Sequence, residues 1–137
     1  MTFVETLETV WTPRVQSVLR IVTAYLFLLH GSSKLLLIPY NERYEDLQYF
    51  SITGFAGMLE LVGGALLILG LFTRPVAFLL SGEMAFAYFM AHASADTFLA
   101  PLMNRGEPAV LFCFIFFFLA FAGGGAWSVD KLIAKRE

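Results

Sequence analysis

Residues 57–92 read GMLELVGGALLILGLFTRPVAFLLSGEMAFAYFMAH. Two long apolar runs meet at a short break, Phe72-Thr73-Arg74-Pro75. Each run holds one carboxylate, Glu60 in the first and Glu83 in the second, and His92 closes the second. A charge at the centre of a bilayer costs about 2.5–3.5 kcal/mol on insertion scales, so such groups face a protein interior, a partner or a wet cavity. A break this short forces the two runs to be antiparallel neighbours. The stretch therefore predicts a membrane hairpin with ionisable groups turned away from lipid.

The whole chain agrees with that reading. It has 137 residues, 58% hydrophobic and 15% charged, and its mean hydropathy is +0.73. Soluble domains are about 45–50% apolar with about 25% charged residues. The apolar excess lies in long runs rather than in scattered positions. A span needs about 20 residues, so the length accommodates four spans with short loops and no soluble domain. Runs such as Leu66 to Phe72 and Leu111 to Phe121 do not alternate, which argues against a transmembrane β-barrel. The net charge of -2 and the lack of a basic patch argue against nucleic acid as a partner. The single cysteine, Cys113, can form no internal disulfide. Glu5 and Glu8 precede the first basic residue, so no signal-peptide n-region is expected and the first span should persist in the mature protein.

Working outward from the hairpin, the pattern predicts an all-α membrane protein: a four-transmembrane-helix antiparallel bundle forming one domain over residues 1–137. The spans fall at about 13–38, 54–72, 75–94 and 107–122. Phe3, Leu7, Val10 and Trp11 form a helical stripe opposite Glu5 and Glu8, predicting a short amphipathic helix over 2–11 on the membrane surface. Thr12-Pro13 reads as the N-cap and first position of the first span. Tyr40, Tyr44, Tyr49 and Phe50 in the first outer loop suit an interfacial aromatic belt. Gly123-Gly124-Gly125 ends the fourth span, and Ser128-Val129-Asp130 precedes a short basic tail. Arg14, Arg20, Arg74, Lys131, Lys135 and Arg136 fall on one side and Lys34, Arg43 and Arg105 on the other. That bias places both termini in the cytoplasm of a multi-pass inner-membrane protein, with the lipid bilayer as its first partner.

This topology gathers most membrane polar groups between the midplane and the outer surface. The candidate ligand-binding pocket is His30, Lys34, Glu60, His92 and Glu107. Glu83 and His92 are nine residues apart, about half a turn around an ideal helix. That phase sends Glu83 towards a different helix or a second subunit, leaving it and Arg20 as secondary buried charges. Each group also has a structural reading. Lys34 can snorkel, Arg20 can anchor in the inner leaflet, and Glu107 can favour a helix N-terminus through the dipole. His92 can cap a helix end, His30 can bond a neighbouring carbonyl, and Glu60–Lys34 or Glu83–Arg20 can form a register-fixing salt bridge. No HxxxH or ExxH spacing supports a metal, and no cofactor motif appears. A protonatable cluster beside aromatic residues suits a quinone head group, and equally a proton relay.

Ordered through the chain, Arg20 followed by His30-Gly31-Ser32-Ser33-Lys34, then Glu60-Leu61-Val62-Gly63-Gly64 leading to Gly70-Leu71-Phe72-Thr73-Arg74, then His92, Glu107 and Gly123-Gly124-Gly125-Ala126-Trp127-Ser128-Val129-Asp130, resemble the DoxX family of small bacterial membrane proteins. The resemblance implies a four-helix bundle in the cytoplasmic membrane. It links such proteins to thiosulfate:quinone oxidoreductase and to complexes that counter oxidative or thiol stress. It carries the family's polar motif positions onto His30, Lys34, Glu60, His92 and Glu107; Glu83 is not assigned to a motif position. The expected function is a membrane subunit of a redox system, offering a quinone- or proton-handling pocket to a redox partner protein, with homo-oligomers as an option. A structural or assembly protein, or a small-solute or proton permease, are the alternatives.

Overall fold

The structure is a computed structural model that describes residues 1–135; Arg136 of the expected basic tail lies outside the described residues. The chain is all helical, and its first helix, α1, runs unbroken over Phe3–Leu36. The expected break at Thr12-Pro13 is not there. Thr12 has helical angles (φ -54°, ψ -46°) rather than those of a cap, and a π-helical turn, Leu7–Trp11, precedes it. Pro13 has no N–H to donate to the preceding turn. The wider turn absorbs that defect, with the Thr12 amide donating to the Leu7 carbonyl. The true N-cap is Thr2, which forms a capping box with Glu5. The N-terminal segment is thus the first turns of a long helix rather than a separate surface helix.

Helix α2 spans Ile52–Leu69, capped by Ser51 and ended by Gly70 in the left-handed region (φ 69°). The second arm of the hairpin is α3, Thr73–Ala87, which continues through a π-helical stretch, Tyr88–His92. Pro75 lies inside the first turn of α3 rather than marking its start. After a one-turn helix, Pro101–Asn104, α4 runs Glu107–Ala122. A final helix, α5, covers Val129–Ala134 and is capped by Ser128. Of these, α1 and α2 are long and apolar enough by themselves to cross a bilayer.

Helix α1 packs along α2, α3 along α4, and α2 beside α3, while α1 meets α4 more lightly. Glycines set the first contact. A Cβ on Gly31 would lie 2.5 Å from the Leu61 amide nitrogen, and one on Gly64 would lie 3.0 Å from Leu28 Cα. Backbones therefore approach almost directly, the mode that small residues permit between membrane helices. On the other side of α2, Gly63 receives the Leu80 side chain of α3. Ala24, Phe27, Leu67, Leu80, Phe116 and Leu119 form the core. The outside is unusually apolar: Val22, Leu26, Phe55, Val62, Phe78, Phe86, Phe114, Phe117 and Phe118 are all exposed. A soluble monomer rarely presents so continuous an apolar surface; a lipid-facing bundle does. Most of the phenylalanines of α4 belong to this surface, whereas Phe116 is in the core.

Candidate functional site

The Gly31–Gly57 approach decides what meets at the end of the bundle formed by the last turns of α1 and the first turns of α2. A Cβ on Gly57 would touch Lys34 Cβ at 3.2 Å, so the Lys34 stem lies directly on α2. One turn on, Lys34 Nζ reaches Glu60 Oε1 at 2.5 Å. Glu60 is only 3% exposed. Its second oxygen, Oε2, has no hydrogen-bond partner. This is the only ion pair among the described residues.

Glu83 lies on the edge of α3 that faces α2, the helix of Glu60, rather than towards a different helix. Both of its carboxylate oxygens are buried without a partner among the described residues. The packing explains the difference from the helical-phase reading. The edge of α3 that meets α2 is set by Leu80 against Gly63, and Glu83 follows Leu80 by three residues along the same edge. The phase argument instead took His92 as the reference. His92 lies in the π-helical stretch, where an ideal 100° step no longer describes side-chain direction. The alternative partner, Arg20, is engaged at the other end of the bundle.

The remaining candidate residues spread out. His30 is exposed at the bundle flank, edge-on to Phe112 of α4 with centroids 5.9 Å apart, and one helical turn before Lys34. His92 Nδ1 donates to the Asn104 carbonyl at 3.1 Å. It ties the end of α3 to the loop before α4, beside a network in which Tyr88 donates to the Phe98 carbonyl and Asn104 Nδ2 donates to Tyr88 and the Thr97 carbonyl. Glu107 is exposed in the first turn of α4. The structure thus pairs Lys34 with Glu60 and places Glu83 on the facing edge of α3, and it leaves His30 on the flank, His92 at the end of α3 and Glu107 at the start of α4. A small cavity of about 200 Å³ lies between Lys34 and Tyr44, Glu45 and Tyr49 of the loop between α1 and α2. Among the described residues no group of three or more His, Cys, Asp or Glu residues is arranged to hold a metal ion.

Arg20 is the residue whose role the sequence concealed. It is fully buried rather than reaching to the interface. Its Nε donates to the Gly124 carbonyl at 2.8 Å and its Nη2 to Trp127 at 2.5 Å. Its Nη1 donates to the carbonyls of Leu67 and Ile68. The last carbonyls of a helix lack intrahelical partners, so one guanidinium closes the end of α2 and the loop after α4 together. Asp130 completes this end: its two carboxylate oxygens accept from the Phe72 and Thr73 amides, each at 2.8 Å, capping α3. Gly70 has to be glycine here, because a Cβ would lie 2.9 Å from Arg20 Cζ. The glycines after α4 do more than stop a helix: they shape the loop that receives Arg20. The available signal was Asp130 itself, a capping residue following a glycine run.

Fold and surface together define a small all-helical membrane protein with a buried polar cluster. The DoxX family profile matches residues 15–93, and the chain belongs to that family. It is 41% identical over 138 residues to an uncharacterized protein of Haemophilus influenzae, an overlap of 92% of this chain and 96% of that relative. No solved structure matches the chain significantly.

Proposed function

We propose that this protein is a four-span subunit of the bacterial inner membrane, with cytoplasmic termini, whose Lys34–Glu60–Glu83 cluster takes up and releases a proton for a redox partner. One observation carries the reading: three buried carboxylate oxygens, Glu60 Oε2 and both of Glu83, have no partner beside a single ammonium. Buried polar atoms are normally paired, and intramembrane carboxylates often mark proton relays. Two carboxyl groups facing one ammonium leave one negative charge uncompensated, and a proton is the smallest ion that balances it. Lys34 also lines the cavity beneath the first loop, the side from which a proton could reach the pair. The link to thiol, sulfur or oxidative-stress metabolism rests on the family resemblance.

Infrared spectroscopy in lipid tests the proton directly. A carbonyl stretch of a protonated carboxyl is expected in the unmodified protein and is expected to vanish in Glu83→Gln or Glu60→Gln. Its absence at every pH at which the protein is folded sinks the reading.

A second reading is favoured by His30. A cavity of about 200 Å³ is small against ligand pockets of roughly 300–1,000 Å³, so a quinone would not enter from the loop. His30 instead lies on the exposed flank beside Phe112, where a quinone head group can approach from the bilayer and accept a hydrogen bond. Lipid extraction from purified protein separates the readings: quinone enriched in the unmodified protein and lost in His30→Ala supports this one.

A further inference from the structure

At the opposite end of the bundle, a groove of about 570 Å³ lies between the start of α3 and the loop after α4. It contains two cations, Arg74 and Lys131, neither with a carboxylate partner among the described residues. Arg74 uses only Nη1 on the protein, donating to the Ala120 and Phe121 carbonyls. Its Nε and Nη2 make no hydrogen bond among the described residues and lie over Gly123, where an added Cβ would be 3.4 Å from Nη2. Thr73 is fully buried, yet its hydroxyl has no partner. That hydroxyl faces Gly124, and a Cβ there would lie 2.9 Å from it. The groove thus holds a guanidinium edge, an ammonium and a buried hydroxyl donor left open by two glycines. Asp130 also lines it, but both its oxygens are occupied as the cap of α3, so its charge faces the helix dipole.

We propose that this groove binds a phosphate-bearing anion, either the headgroup of an anionic phospholipid or a soluble phosphate compound. Guanidinium matches phosphate geometry through paired N–H donors, and Lys and Arg at a membrane end attract anionic headgroups. The site is separate from the Lys34–Glu60–Glu83 cluster and does not rest on the proton reading. The surroundings favour the lipid source: Phe72 and Trp127 are 61% and 56% exposed beside the groove, and Phe121, whose carbonyl Arg74 holds, is 66% exposed on the flank of α4. An acyl chain can follow that flank while the phosphate occupies the groove.

The test is titration of the full chain in neutral detergent with short-chain phosphatidylglycerol, short-chain phosphatidylcholine and glycerol phosphate, read by native mass spectrometry. Phosphatidylglycerol is expected to bind at least about tenfold more tightly than phosphatidylcholine, whose own ammonium neutralises the same phosphodiester, at about 1 kcal/mol for each of the two cations. Glycerol phosphate competing at equal concentration assigns the site to soluble phosphates; failure to compete assigns it to lipid. Lys131→Gln is expected to weaken binding several-fold, and Arg74→Gln more. Because Arg74 also holds α4 carbonyls, Lys131→Gln is the cleaner variant, and its exposed side chain makes folding insensitive to it. Thr73→Val supplies a split that packing alone does not give. It removes an unpaired buried hydroxyl, so the melting temperature without ligand is expected to hold or rise while phosphatidylglycerol affinity falls. Equal binding of the two lipids, or undiminished phosphatidylglycerol binding in both Lys131→Gln and Thr73→Val, overturns the proposal.

Discussion

The two ends of the bundle each bury charge, and they treat it in opposite ways. At the Arg20 end every guanidinium nitrogen donates to a backbone carbonyl. Asp130 likewise has both oxygens in use. At the Glu60 end one short ion pair sits beside three carboxylate oxygens with nothing to accept from. Arg20 and Glu60 are both buried, so burial alone does not distinguish the two ends. Completeness does. A satisfied buried charge fixes geometry, whereas an unsatisfied one is a standing cost that persists where function uses it.

The largest effect that tests this contrast is expected at Arg20. Replacing it with methionine keeps much of the apolar stem but orphans carbonyls at the end of α2 and in the loop after α4. A loss of about 3 kcal/mol or more is expected, given about 1.5–3 kcal/mol for a hydrogen bond to a charged group. Denaturation in mild detergent reads it. A near-normal melting temperature would show that this end is not the clasp described here.

Next is Gly31→Ala, which presses a methyl group into the Leu61 amide and separates α1 from α2. Overpacking of this kind costs about 1–3 kcal/mol, and it should also pull Lys34 from Glu60. Loss of the infrared carboxyl signal together with stability would connect the glycine approach to the polar cluster.

Glu60→Gln and Glu83→Gln should then differ from each other. Glu60→Gln breaks the ion pair and leaves the Lys34 ammonium poorly compensated, so destabilisation of about 1–3 kcal/mol is expected. Glu83→Gln removes a carboxylate that has no partner, so stability is expected to hold or rise. Both are expected to abolish proton uptake. Equal destabilisation by the two would mean that Glu83 has a structural partner after all.

The smallest effect lies in the loop between α1 and α2. Tyr40 donates to Glu45 at 2.5 Å, and this bond to the carboxylate raises the phenol above the ordinary tyrosine value. A raised folded value means that the bond's contribution is present below the unfolded tyrosine value, about 10, and is lost as pH rises through the folded one. Ultraviolet titration should show one tyrosine moving to lower pH in Glu45→Gln. An unchanged titration would show that the contact does not persist.

Much of this architecture can be read along the chain. Apolar run length gives the long helices, the Phe72–Pro75 break gives the hairpin, and the glycine face of α2 gives its close contact with a neighbour. Lys34 with Glu60 was among the pairings that helical spacing allows. Three features resisted such reading. The π-helical turns at Leu7–Trp11 and Tyr88–His92 depend on how a proline or a loop is absorbed, and they break the regular step on which phase arguments rest. Glu83 could be assigned only once it was known which edge of α3 meets α2. Arg20 resembled an interfacial anchor because its partners are main-chain carbonyls, which carry no residue type.

The sequence by itself determined an apolar helical chain with carboxylates inside its spans, because hydrophobic length and period are local properties. Only the tertiary structure decided which buried charges are complete and which are not. That depends on the order in which helices pack and on where free helix ends fall, and neither is written at any single position. It paired Glu60 of the Gly57–His92 hairpin with Lys34 of α1 and moved His92 out of the expected pocket to the loop after α3.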